Sequence, residues 1–156
     1  MNPEEENKII ARRVLEEGFN EGRLGTIEDL VSGDHVDHTP LPGQSQGVDG
    51  TKQFIATFRG AFPDLRLEVV DMVAEGDRVV TRLVGHGTHR GSFLGVSATG
   101  RTIELTGMVE QRMDHGQVAE SWTNLDTMHL LEQIGAIHPA TGETPEETAG
   151  FGDPKE

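Results

Sequence analysis

RTIELTGMVEQRM (residues 101–113), DHG (114–116) and QVAESWTNL (117–125) decide the fold. In the first run Ile103, Leu105 and Val109 alternate with Thr102, Glu104, Thr106, Met108, Glu110 and Arg112, the period-two pattern of a strand with one buried face. DHG is turn chemistry, and the last run returns as a partner strand. A two-residue loop at His115-Gly116 sets Glu120 opposite Gln111, whereas a three-residue loop sets it opposite Glu110; both registers are open. Upstream, Val79, Thr81 and Leu83 alternate with Val80, Arg82, Val84 and His86, and Glu75-Gly76-Asp77 separates that run from strand-like residues 67–73. Four strands joined by turns predict an antiparallel meander.

Before residue 63 the apolar period is that of a helix. Asn2-Pro3-Glu4-Glu5 supplies a cap, a proline at the first helical position and early carboxylates, and Ile10, Val14, Leu15 and Phe19 follow at helical spacing, predicting a helix over 3–21. Thr26 and Asp29 open a short second helix with Ile27, Leu30 and Val31. Asp34 to Pro40 is polar and runs into a Pro/Gly-rich loop. Asp49 caps a third helix carrying Phe54, Ile55, Phe58 and Phe62 until Pro63 stops it, and Asp126 caps a closing helix with Leu130, Leu131 and Ile134. Helices, then a meander, then a helix define an α+β domain in which one sheet packs against helices. Glycines at 85, 87, 91, 95, 100 and 107 permit strong bends, and a bent sheet leaves a cavity beneath it.

Thirteen basic against twenty-seven acidic residues, a formal charge of -14, disfavour nucleic acid and anionic membrane surfaces as partners. The chain has no cysteine, which excludes disulfides and thiolate chemistry. The acidic start lacks the apolar core of an export signal, so the expectation is a cytoplasmic protein. Residues 1–137 read as one domain and 138–156, with three prolines among threonines, glycines and acids, as an acidic disordered tail.

His38-Thr39-Pro40, Gly47-x-x-Gly50, Phe62-Pro63-Asp64-Leu65, Gly87-Thr88-His89-x-Gly91-x-Phe93-x-Gly95, Glu120-Ser121-Trp122 and Leu130-Leu131-x-Gln133-x-Gly135 occur in an order that resembles the SnoaL-like polyketide cyclases, or ester cyclases, of the NTF2-like superfamily. The resemblance runs over about residues 6–137. It implies a cone-shaped barrel, a strongly curved antiparallel sheet packed against N-terminal helices around a pocket, and homodimers or homotetramers formed through the open sheet face. It also implies intramolecular aldol ring closure of a polyketide-like ester without metal or organic cofactor, with an aspartate of the late strands as general acid/base. Asp126 matches that aspartate.

Aldol closure needs a base beside a carbonyl and a donor for the developing oxyanion. Asp126, Glu110 and His38 are the candidate catalytic groups. The plainer role of Asp126 is a helix cap, and that of His38 is to tie down its turn. Glu110 and Arg112 share a face and form either an interior pair orienting a carbonyl or an exposed pair. Arg82, His86, His89, Glu120 and Trp122 complete the substrate-binding candidates, Arg82 and His86 as cavity lining, Trp122 as a flat wall or as core, His89 as a ligand contact or a loop anchor. His35 and Asp37 share one face of an extended segment while His38 points away, which argues against a metal site. The expected function is a cofactor-independent cyclase-like enzyme acting on a hydrophobic carbonyl compound. The alternatives are a small-molecule-binding protein without catalysis and an epoxide or ester hydrolase.

Overall fold

A computed structural model describes residues 1–137. The tail assigned to 138–156 lies outside the described residues. Helix α1 (Pro3–Arg13) begins as the sequence dictates, with the Asn2 side chain accepting from the Glu5 amide at 2.8 Å and Pro3 at its first turn. It does not run on as an α-helix to residue 21: Val14–Asn20 widen into a π-helical segment. Gly18 lets the segment pack closely on its neighbours, since a Cβ there would stand 2.7 Å from Ile27 Cδ1 and 3.0 Å from Ile55 Cδ1. Arg59 closes the segment by donating from Nη1 to the carbonyls of Phe19 (2.7 Å) and Asn20 (3.2 Å), groups that a helix end otherwise leaves unpaired.

Short α2 (Leu24–Leu30) leads into β1 (Val31–Asp37), then α3 (Gly47–Ala61), β2 (Arg66–Glu75), β3 (Arg78–Thr88), β4 (Thr102–Asp114), β5 (Gln117–Leu125) and α4 (Thr127–Gln133). The five strands form one sheet in the order β1-β5-β4-β3-β2. The meander is present as read, and a fifth strand joins it: the polar segment around His35, not assigned to the sheet from sequence, pairs parallel to β5. Its polar alternation hid it, because only Val31 and His35 turn fully inward.

Both open registers for Glu120 are replaced by a third. His115 and Gly116 have φ of 51° and 77°, a two-residue turn of the kind that matches strand twist, and Asp114 pairs with Gln117. A bulge after Met113↔Val118 then shifts the ladder by one, so Glu120 faces Arg112 and Ser121 faces Gln111. The bulge keeps Val118 and Ser121 both buried although an ideal strand would send them to opposite faces.

The core between sheet and helices falls into two apolar clusters, one including Phe58, Phe62, Leu83, Phe93, Leu105 and Leu130, the other Ile27, Val31, Ile55, Val79 and Val118. The motif Leu130-Leu131-x-Gln133 has a structural reason. Beyond Gly107 the edge of β4 has outrun β5, and the Gln133 amide substitutes for a strand there, accepting from Glu104 N (2.8 Å) and donating to Glu104 O (2.7 Å). Gly50 in Gly47-x-x-Gly50 is equally forced: a Cβ would fall 1.8 Å from the Ser45 carbonyl oxygen.

Candidate active site

Under the bent sheet lies a cavity of about 80 Å³. Its walls are Leu15, Phe54, Phe58, Leu67, Leu83 and Leu105 among other apolar side chains. The π-helical segment contributes Phe19, which meets Phe54 edge to face at 5.9 Å. Polar lining comes from His35 and Asp37 of β1, Thr51 of α3, Gln111 of β4, and Ser121 and Thr123 of β5.

His35 is the chemical centre of that lining. It is 4% exposed, its Nε2 lies 2.7 Å from Ser121 Oγ, and its Nδ1 lies 3.4 Å from Thr51 Oγ1. Burial pushes its pKa below the ordinary 6.5, against a smaller opposite pull from the Asp37 carboxylate. The ring is therefore neutral at pH 7, one nitrogen donating and the other accepting between the Ser121 and Thr51 hydroxyls.

Asp37 is committed to the turn that follows. Its Oδ1 accepts from the Thr39 amide (2.9 Å) and its Oδ2 from Gln44 Nε2 (2.7 Å), while Gln46 pairs with its backbone in both directions (2.9 and 3.2 Å). The Thr39 hydroxyl accepts from Thr123 N at 2.9 Å, so the His-Thr-Pro turn is stitched to β5 and fixes the end of β1. Among the described residues no cluster of His, Asp and Glu has the geometry of a metal site.

The residues singled out from sequence fall elsewhere. Asp126 is exposed and caps α4, its Oδ1 accepting from His129 N at 3.1 Å. Arg82 and His86, expected to line the cavity, are exposed on the opposite face, because Val79, Thr81 and Leu83 take the inward phase of β3. Glu110 and Arg112 are likewise out of phase with the buried Val109 and Gln111 and do not form an interior pair with each other. On that outer face Glu110 bonds Arg78 (2.8 Å), and Glu120 bonds both Arg112 (2.5 Å) and His38 (2.9 Å). Trp122 is neither pocket wall nor core: it stacks on the His38 ring (4.6 Å, 4° between planes) and carries the Arg78 guanidinium 5.0 Å from its centroid. Hydrogen bonds from Arg112 first and His38 second hold the Glu120 carboxyl below its ordinary pKa.

His89 is fully buried in the connection after β3, outside the cavity, where its Nδ1 accepts from Thr99 N at 3.2 Å. Gln111 and Ser121 were not among the sequence candidates, and His35 was weighed only as a metal ligand. Gln111 had a legible signal, since it continues the phase of Ile103, Leu105 and Val109 and is the polar member of an apolar series.

A five-stranded curved sheet closing over helices, with an apolar chamber polar at one side, defines an α+β small-molecule pocket of the NTF2-like type. The model of the SnoaL-like polyketide cyclases matches residues 9–134, and the chain belongs to that family. Among solved structures it is similar to TsrD from Streptomyces laurentii (25% identity, TM-score 0.79, covering 88% of this chain and 100% of that one). It also resembles IdmH from Streptomyces antibioticus, a candidate polyketide cyclase (34%, TM-score 0.72, 83% and 98%). AclR from Streptomyces galilaeus, a candidate hydroxylase, is 30% identical with TM-score 0.74, covering 86% and 98%. No curated protein matches. Among the described residues no helix is long and apolar enough to cross a membrane.

Proposed function

We propose that the chain is a cofactor-independent acid/base enzyme of the cyclase type, acting on a hydrophobic carbonyl compound, with His35 as the proton-transfer group. The observation that carries this is a buried imidazole lining a mostly apolar cavity and bonded to a cavity hydroxyl. A base next to a carbonyl must be unprotonated at working pH, and exclusion of water strengthens the electrostatic interactions it makes with a developing enolate. His35 meets the first condition through burial, and the Leu and Phe walls supply the second.

In this reading His35 removes the proton next to the carbonyl, directly or through the Ser121 hydroxyl. The same proton returns to the new alkoxide oxygen when the enolate carbon closes on a second carbonyl. The Thr51 contact at Nδ1 orients the ring. Asp126, which matches the aspartate implied by the family resemblance, contributes the cap of α4 instead.

Deuterium exchange at the α-carbon tests this without knowledge of the natural substrate. A panel of small cyclic ketones in D2O is followed by proton NMR with the wild type and with His35→Ala. Catalysed exchange that is lost in the variant supports the reading; no catalysed exchange, or exchange that survives His35→Ala, refutes it.

A further inference from the structure

Two departures from regular strand geometry bring the Ser121 hydroxyl and the His35 ring together. β1 changes register with β5 between Val31 and Val36, the stretch that carries His35. The bulge in β5 turns Ser121 to the inner face, and bulges of this kind re-aim side chains beside active sites. Both residues line the chamber, where Ser121 retains 8% exposure and its Oγ lies 2.7 Å from His35 Nε2.

The protons of this pair follow from what each group can reach. Were Nε2 the donor, the buried Ser121 hydroxyl proton would need a second acceptor, and among the described residues that hydroxyl bonds His35 alone. With Ser121 donating to Nε2 its proton is used, and Nδ1–H donates to Thr51 Oγ1 at 3.4 Å. Thr51 is half-buried, so its own hydroxyl proton can turn to solvent. A serine that donates to a neutral imidazole, itself oriented by a third group, is the arrangement that activates a hydroxyl as a nucleophile.

We propose that the chamber also carries out acyl transfer from a small ester, with Ser121 as the nucleophile and His35 as its general base. This goes beyond the α-proton chemistry, in which no bond to the protein forms. As the bond from Oγ to the carbonyl carbon forms, the Oγ proton passes to Nε2. The bond from that carbon to the leaving oxygen then breaks, and Nε2 returns the proton to the departing alcohol. Water attacks the acyl-serine with Nε2 again as base, which releases the carboxylic acid and restores Ser121. The acyl part is short, because the chamber measures about 80 Å³.

The test uses the full chain and two small reagents, methanesulfonyl fluoride and p-nitrophenyl acetate. The sulfonyl fluoride is expected to add one methanesulfonyl group by intact-protein mass spectrometry, mapped to Ser121, with fluoride as the leaving group. The unlabelled protein hydrolyses the acetate, and labelling abolishes that hydrolysis. Ser121→Ala removes both reactions, and His35→Gln, which can still accept the serine hydrogen bond but is not basic, slows both roughly 100-fold or more. Should either variant fail to fold, the wild type decides through the mapped position of the label. Absence of label, label confined to other residues, unaltered rates in His35→Gln, or hydrolysis that survives labelling each overturn the proposal. Labelled Ser121 in a protein that exchanges no α-proton refutes the proton-transfer reading alone. Catalysed exchange in a protein whose Ser121 stays unlabelled refutes this one alone.

Discussion

The two faces of the sheet draw on adjacent residues of the same strands and differ in what surrounds their charges. Inside, His35, Ser121 and Gln111 are nearly free of solvent, uncharged, and set among leucines and phenylalanines. Outside, His38, Glu120, Trp122, Arg112, Glu110 and Arg78 form a continuous network of ion pairs and stacked rings in contact with water. The outer face holds more ionisable chemistry, yet water and salt weaken every interaction there. The inner face has few polar atoms, and each keeps most of its strength because nothing competes for it. Abundance of charged residues is thus a poor guide to where a polar group is shielded from water.

The largest expected effect comes from separating the two histidines. His35→Ala should lower the α-proton exchange rate by about 10² to 10⁴, the usual contribution of a positioned general base, whereas His38→Ala should leave it within a few-fold. Circular dichroism of both variants checks that the fold is retained. Comparable losses in the two variants would erase the distinction between the faces.

Leu83 and Arg82 make the same comparison for stability. Leu83 is 4% exposed against the cavity, so Leu83→Ala should cost about 2–5 kcal/mol in urea unfolding. Arg82 is exposed on the opposite face, and Arg82→Ala should leave the midpoint where it is.

The strands, the helices and most of their ends were legible because burial imposes period on sequence: residues 78–88 and 117–125 are strands as read, and Pro63 ends α3. What escaped was set by single departures from period. One bulged residue moved Glu120 to a register that neither simple hairpin allowed. The β1 strand has too few apolar residues to announce itself and gains its place from pairing with β5, a contact between residues about 85 apart that no local pattern encodes. The site was therefore half visible. His35 and Asp37 read as sharing a face, and they do line the cavity together, but the sequence does not say that this face is the inner one.

The pH dependence of the inner face follows from the lowered pKa of His35. Between that value and the ordinary 6.5 the unfolded chain binds the proton and the folded one does not, so stability rises with pH across this interval. The contribution is present above 6.5 and is lost as pH falls toward the folded value. Exchange activity should show an acid limb with its midpoint under 6.5, and the limb should vanish with the activity in His35→Ala. A midpoint above 6.5 would mean that the ring is stabilised in its charged form, contrary to its burial.

Asp126→Ala should cost about 1 kcal/mol, the usual loss of a helix cap, and leave exchange unchanged. A fall of several orders of magnitude in exchange would instead restore Asp126 as the acid/base group.

The smallest effect is expected at Glu120. Glu120→Gln retains a hydrogen-bonding side chain but removes the charge shared by Arg112 and His38. The wild-type carboxyl, held below 4.5, stabilises the fold above that pH and loses its contribution as pH falls through the folded value. Near neutrality the variant should therefore melt slightly below the wild type, and the gap should narrow as salt is added because these groups face solvent. Ser121→Ala, one residue along and buried against His35, should show no such salt dependence. If the Glu120 difference persists at high salt, the outer network is shielded from water in solution and the contrast between the faces is smaller than the isolated chain suggests.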